Sequence, residues 1–172
     1  MRGRLRGRSA DGPQEPRERP RDPFEMACRY LAVSERCAAQ VRDYLRRKGF
    51  EVEEAARTID LLKTRRLLDD LRFARLFVQS RCRRSPRSRA LLIKELRVKG
   101  VDAETAQQAV SEFLLEVPEE ELARRVVERL ASRGPADRER AARRLRSRGF
   151  RASAALGRGV EDGDPGTDAA GG

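Results

Sequence analysis

Apolar residues along this chain fall in pairs one helical turn apart, and the arrangement comes three times. Met26-Ala27 is followed by Tyr30-Leu31, Phe73-Ala74 by Phe77-Val78, and Leu122-Ala123 by Val126-Val127. Each set lays one stripe along a helix. Further on, Val52, Ala55, Ala56, Ile59 and Leu62 show the three- and four-residue spacing of an amphipathic helix, as do Ala103, Ala106, Val110, Phe113 and Leu114. Between the stripes stands a phrase written three times: Leu45-Arg46-Arg47-Lys48-Gly49-Phe50, Leu96-Arg97-Val98-Lys99-Gly100-Val101 and Leu145-Arg146-Ser147-Arg148-Gly149-Phe150. The copies lie 51 and 49 residues apart. A period near 50 residues signals tandem units, each too small to bury a core alone.

Each unit therefore reads helix, helix, Gly, helix. No stretch alternates with the two-residue period of a strand. The pattern predicts an all-α protein, an elongated array of three tandem three-helix repeats with the third truncated. In that third copy the positions in register with Val110 and Phe113 are Gly159 and Asp162, so its last helix is short or absent. The alanine-to-glycine distance is 22 residues in the first unit and 26 in the other two, a difference for a loop or a half-turn to absorb.

The glycines Gly49, Gly100 and Gly149 sit where a helix ends on a left-handed residue, and Phe50, Val101 and Phe150 follow them as the apolar latch of such an end. Lys48, Lys99 and Arg148 lie in the last turn, where positive charge suits the helix dipole. Ser85-Pro86 reads as a helix start, and so does Pro118 with the acidic turn Glu119-Glu120-Glu121. Gly134-Pro135 reads as the break between two helices. Asp69-Asp70 has the character of an acidic helix start.

Composition trims the array at both ends. Residues 1–23 hold seven Arg, four Pro and three Gly, an Arg- and Pro-rich arm with a disordered composition. Residues 160–172 hold four acids, four Gly and no base, and read as an acidic tail. The expected organisation is an arm over 1–23, repeats over 24–66, 67–117 and 118–159, and a tail over 160–172.

Charge adds a candidate surface. The chain carries a net +11, and the excess peaks between Arg72 and Lys99, where ten bases accompany one acid, Glu95. Arg72, Arg75, Arg81, Arg83, Arg84, Arg87, Arg89, Lys94, Arg97 and Lys99 form the pool expected to contain partner or nucleic-acid contacts. Such a field attracts phosphate backbones or an acidic protein face. Phe73 and Phe77 belong to the core stripe, so base-stacking platforms are not evident there. Backbone-type contact is the better electrostatic expectation.

Candidate chemistry is sparse. Three cysteines without a CxxC, and no histidine, argue against a metal site. Their odd number fits a reducing cytosol. Cys28 and Cys37 read as small core residues, whereas Cys82, between Arg81 and Arg83, is placed to have a lowered pKa. The chain shows no Walker sequence and no G-x-S-x-G elbow. No apolar run approaches the length of a membrane span. The expectation is a cytoplasmic monomer that is not an enzyme and needs no cofactor.

The segment Leu68-Asp69-Asp70-Leu71-Arg72-Phe73-Ala74-Arg75-Leu76-Phe77-Val78 resembles the centre of the bacterial RecX family. Ala27-Cys28-Arg29-Tyr30-Leu31 through the first glycine phrase resembles that family's opening helices, and Ile93-Lys94-Glu95-Leu96 through Val101 its second glycine phrase. The resemblance runs over residues 24 to 150. It implies a curved modular array lying in the groove of the RecA–DNA filament, where it suppresses ATP hydrolysis and strand exchange. The implied partners are the RecA filament and DNA, met directly or through the filament. The truncated last helix and the long Arg-rich arm depart from the family pattern. The alternative is a basic helical-repeat protein that binds nucleic acid without RecA.

Overall fold

Asp22 opens the first helix by accepting the Phe24 amide at 2.9 Å on its side chain, with Pro23 as the first helical residue. A computed structural model describes residues 22–132 and 138–151. Among them stand eight helices and no strand: α1 (Pro23–Val33), α2 (Ala38–Arg47), α3 (Val52–Thr64), α4 (Asp70–Arg84), α5 (Arg89–Val98), α6 (Ala103–Glu116), α7 (Glu119–Ala131) and α8 (Arg138–Arg146). The order is that of a helical repeat: α1–α3 form a first unit, α4–α6 a second, and α7 and α8 the described part of a third. The acidic tail and the expected loss of the last helix fall after residue 151, outside the described residues. So does the break at Gly134-Pro135, and so does nearly all of the Arg-rich arm.

The glycine phrases end their helices alike. Gly49, Gly100 and Gly149 have φ of 91°, 91° and 82°. The amides of Phe50, Val101 and Phe150 donate to the carbonyls of Leu45, Leu96 and Leu145 at 3.1–3.2 Å, and the glycine amides donate one residue further on. This is the double bond of a Schellman end. The three leucines are fully buried, and Val101 and Phe150 nearly so, which makes each helix end part of the core. The end of α3 uses the same bonds with Arg66 at the left-handed position, φ 56°.

Helix starts follow the sequence with one correction. Asp69 caps α4 by accepting the Arg72 amide, and Pro118 precedes the acidic first turn of α7. Ser85-Pro86 does not start α5. Ser85 ends α4 in extended backbone, as a residue before proline prefers, and Ser88 is the N-cap, accepting the Leu91 amide at 3.2 Å. The four-residue offset between first and second units is neither a loop nor a half-turn. It is one whole turn of helix: α4 has 15 residues against 11 in α1, while both connections to the next helix span four residues.

One cluster of buried side chains, centred on Val41, Leu45, Ile59 and Leu62, holds the first unit. A larger one joins the second and third units, from Phe73, Val78, Leu92 and Leu96 to Leu122, Val126 and Leu145, and includes Cys37 of the first.

The units meet through a joint built twice. At the first, the Ala38 amide at the start of α2 donates to Asp70 Oδ1 at 2.7 Å, and the Cys37 thiol donates to the Lys99 carbonyl at 3.0 Å. At the second, the Arg89 amide at the start of α5 donates to Glu119 Oε1 at 3.2 Å, and the Ser88 amide donates to the Arg148 carbonyl at 3.0 Å. Gly100 lies so close to Ala39, and Gly149 to Ser88, that a Cβ at either glycine would collide, whereas Gly49 faces open space. The phrase is therefore a helix stop in every unit and a docking surface in the second and third.

Candidate functional site

The ten bases of the pool separate into partnered and unpartnered groups. Arg72 on α4 donates to Glu35 at 2.9 Å, binding the second unit to the loop before α2. Arg75 grips Glu112 on α6 through Nε and a terminal nitrogen, at 2.6 and 2.9 Å. Arg81 grips Glu95 on α5 in the same way, at 2.7 and 2.9 Å, and Arg87 adds a third bond at 3.2 Å. These guanidiniums hold both carboxylates below their ordinary range, Glu112 down to about 2. Arg89 donates to the Ser111 hydroxyl at 2.9 Å. Lys99 lies 5.2 Å over the Phe77 ring, as Lys48 lies over Tyr44 in the first unit. Lys94 and Arg97 are exposed on α5.

Arg83 and Arg84, at the end of α4, face a different setting. They line a cleft of about 450 Å³ whose other wall is α7 and α8, with Ser85, Arg129, Arg144 and Arg148. Arg129 donates to the carbonyls of Arg83 and Arg84, both at 2.9 Å, and so ties α7 to the open end of α4. Ser85 Oγ is buried and has no partner among the described residues. No carboxylate is among the described residues lining the cleft, and Arg83, Arg144 and Arg148 make no ion pair among them. Partial burial, with Arg87, Arg144 and Arg81 nearby, brings Arg148 down to about 10. It remains charged at neutral pH, and the Glu95 carboxylate partly offsets the neighbouring arginines.

The pool thus reaches this cleft only through Arg83 and Arg84. Arg144 and Arg148 lie in a second basic run that the pool does not include: residues 140–148 hold five Arg and no acid, as residues 81–89 do. Arg129 lies outside both runs. Register adds a further signal: Arg144 stands 49 residues after Glu95, where the second unit has its acid.

Cys82 does not have the lowered pKa its arginine neighbours suggested. It is buried in the core, and desolvation pushes its thiol up; burial does the same to Cys37. Cys28 is only half-buried, packed against the first core cluster. Among the described residues there is no cluster able to hold a metal ion, and no helix long and apolar enough to cross a membrane.

Comparison with known proteins shows what the chain is similar to. Residues 24–62 match the first three-helix domain of RecX, and residues 69–110 match the second. The chain is 42% identical over 131 residues to a regulatory protein RecX of Amycolatopsis mediterranei, covering 76% of this chain and 74% of that one. It is 37% identical over 145 residues to a regulatory protein RecX of Streptomyces lividans, covering 81% and 76%. Among solved structures, a crystal structure of regulatory protein RecX aligns with a TM-score of 0.64 at 22% identity, over 77% of this chain and 67% of the other. RecX from Lactobacillus salivarius aligns with 0.58 at 22%, over 73% and 82%. At that identity the two structures speak for the fold.

Proposed function

The chain belongs to the RecX family, and from that premise we propose that it is a non-enzymatic negative regulator of RecA, acting in the cytoplasm as a monomer. The observation that carries the reading is the extended match to named regulatory proteins across all three units. It binds the RecA–DNA filament along its groove and reduces ATPase and strand exchange. A repeat array suits that target physically. Successive units can bridge neighbouring protomers, so modest contacts sum to useful avidity, and a bridge that favours one arrangement of protomers shifts the filament without chemistry. The contact surface is drawn from the exposed members of the basic pool, with the repeats over 24–66, 67–117 and 118–159 as its modules.

The test is the single-strand-dependent ATPase of RecA. Substoichiometric amounts of this protein should lower it, and unchanged hydrolysis at saturating protein would refute the reading. A second reading, direct nucleic-acid binding without RecA, is favoured by the arginines between α4 and α8 that lack acidic partners among the described residues.

A further inference from the structure

The groove between the first and second helices of a unit is built twice from matching positions. Phe77, Glu95 and Lys99 line it in the second unit. Val126, Arg144 and Arg148, each 49 residues further on, line it in the third. The second unit carries its own counter-charge there, since Glu95 accepts from Arg81 and Arg87. In the third unit Arg144 replaces that acid. Arg83, Arg84, Arg129, Arg144 and Arg148 then face one cleft with no acid among the described lining residues. Two of them are not free to turn away into water: Arg129 is fixed by two carbonyl bonds, and Arg148 is half-buried.

The chain carries a segment of the complementary sign close by. Residues 160–172 hold Glu161, Asp162, Asp164 and Asp168 and no base. A carboxylate is the natural partner of a guanidinium fork, and Glu95 and Glu112 already play that part in the second unit. Reach is sufficient. Arg148 lies on the cleft wall, Arg151 is three residues later, and Glu161 follows Arg151 by ten residues. Ten residues span up to about 33 Å, against about 20 Å for the whole length of a helix like α7. Each exposed ion pair is weak alone, but so short a tether sets an effective concentration on the order of millimolar.

We infer that the acidic segment 160–172 lies in this cleft as its missing counter-charge, an autoinhibitory strap that an anionic partner must displace. The groove that the second unit neutralises from within is neutralised in the third by the chain's own tail. The contact belongs to this chain alone and does not rest on regulation of RecA.

The test uses the full chain without RecA or nucleic acid. A nitroxide is attached at Thr167→Cys, with Cys28→Ser removing the half-buried thiol; Cys37 and Cys82 are buried. Amide signals of Arg84 and Arg144, on opposite walls of the cleft, should lose most of their intensity in the nuclear magnetic resonance spectrum, while that of Arg57, exposed on α3, keeps its own. The signals should return when the tail is neutralised by Glu161→Gln, Asp162→Asn, Asp164→Asn and Asp168→Asn. They should also return in about 1 M sodium chloride, where the screening length falls to about 3 Å, and on addition of a polyaspartate peptide. None of the four tail changes touches a helix, so unchanged far-UV circular dichroism separates a lost contact from a lost fold. Full intensity at Arg84 and Arg144, or equal losses at Arg57, would overturn the proposal. So would losses confined to the Arg-rich residues 1–21, or losses that persist in the neutral tail or under polyaspartate. Any of these failures leaves the proposed action on RecA standing.

Discussion

Glycine at a helix end has two separable roles here, and the three copies pull them apart. All three glycines need the left-handed conformation, which costs an L-residue roughly 1–2 kcal/mol. Only Gly100 and Gly149 also lack room for a Cβ. Gly49→Ala should therefore cost little more than the backbone strain. Gly100→Ala should add the cost of pushing Ala39 away, roughly 1–3 kcal/mol more. Urea denaturation of the two variants checks the order; equal losses would mean that the joint gives way freely. The helix stop was legible in the sequence because its signal is local: a leucine, a glycine and an apolar residue at fixed offsets. The docking role was not, since Ala39 lies 61 residues from Gly100 and nothing near either residue announces the other. The same applies to Ser88. Its neighbour Ser85 stands before a proline and mimics a cap, whereas the bond that places Ser88 comes from Arg148, 60 residues away.

At the scale of elements, charge cross-links decide which arginines are available. Arg75 and Glu112 bind α4 to α6, and Arg81 and Glu95 bind α4 to α5. With Arg87 on Glu95 and Arg89 on Ser111, four of the ten bases are committed to holding the second unit together, which a count of bases could not reveal. Both carboxylates sit below their ordinary range, so the stability they contribute is present above the unfolded value and fades as they protonate. For Glu112 the window runs from the usual 4.5 down to about 2. Glu112→Gln should melt below the wild type above pH 4.5, with the gap closing as the pH falls toward 2. A gap independent of pH would show that Glu112 acts through packing rather than charge. The stripes that build these helices were plain from their spacing, and so was the period. The extra turn of α4 was not, because a turn of helix and a four-residue loop occupy the same length of sequence.

Across the whole molecule, the two joints use residues at matching positions: Ala38 and Arg89 donate, Asp70 and Glu119 accept, and the carbonyls of Lys99 and Arg148 close the pair. The sequence announced that there were units, but only the structure shows that they share one connector. The connector also makes the array's length adjustable. Ala90 stands where Ala39 stands in the unit before it, so a second copy of residues 67–117 inserted after the first would meet Ser88, Arg89 and Ala90 with its own Lys99, Asp70 and Gly100. Such a lengthened chain should fold with unchanged ellipticity per residue and melt in one transition, as coupled nearest neighbours do. A separate early transition would show the insert to be a passenger. Reach along a partner would then be a matter of how many copies are strung together, in the way a ruler is lengthened by adding divisions of the same size.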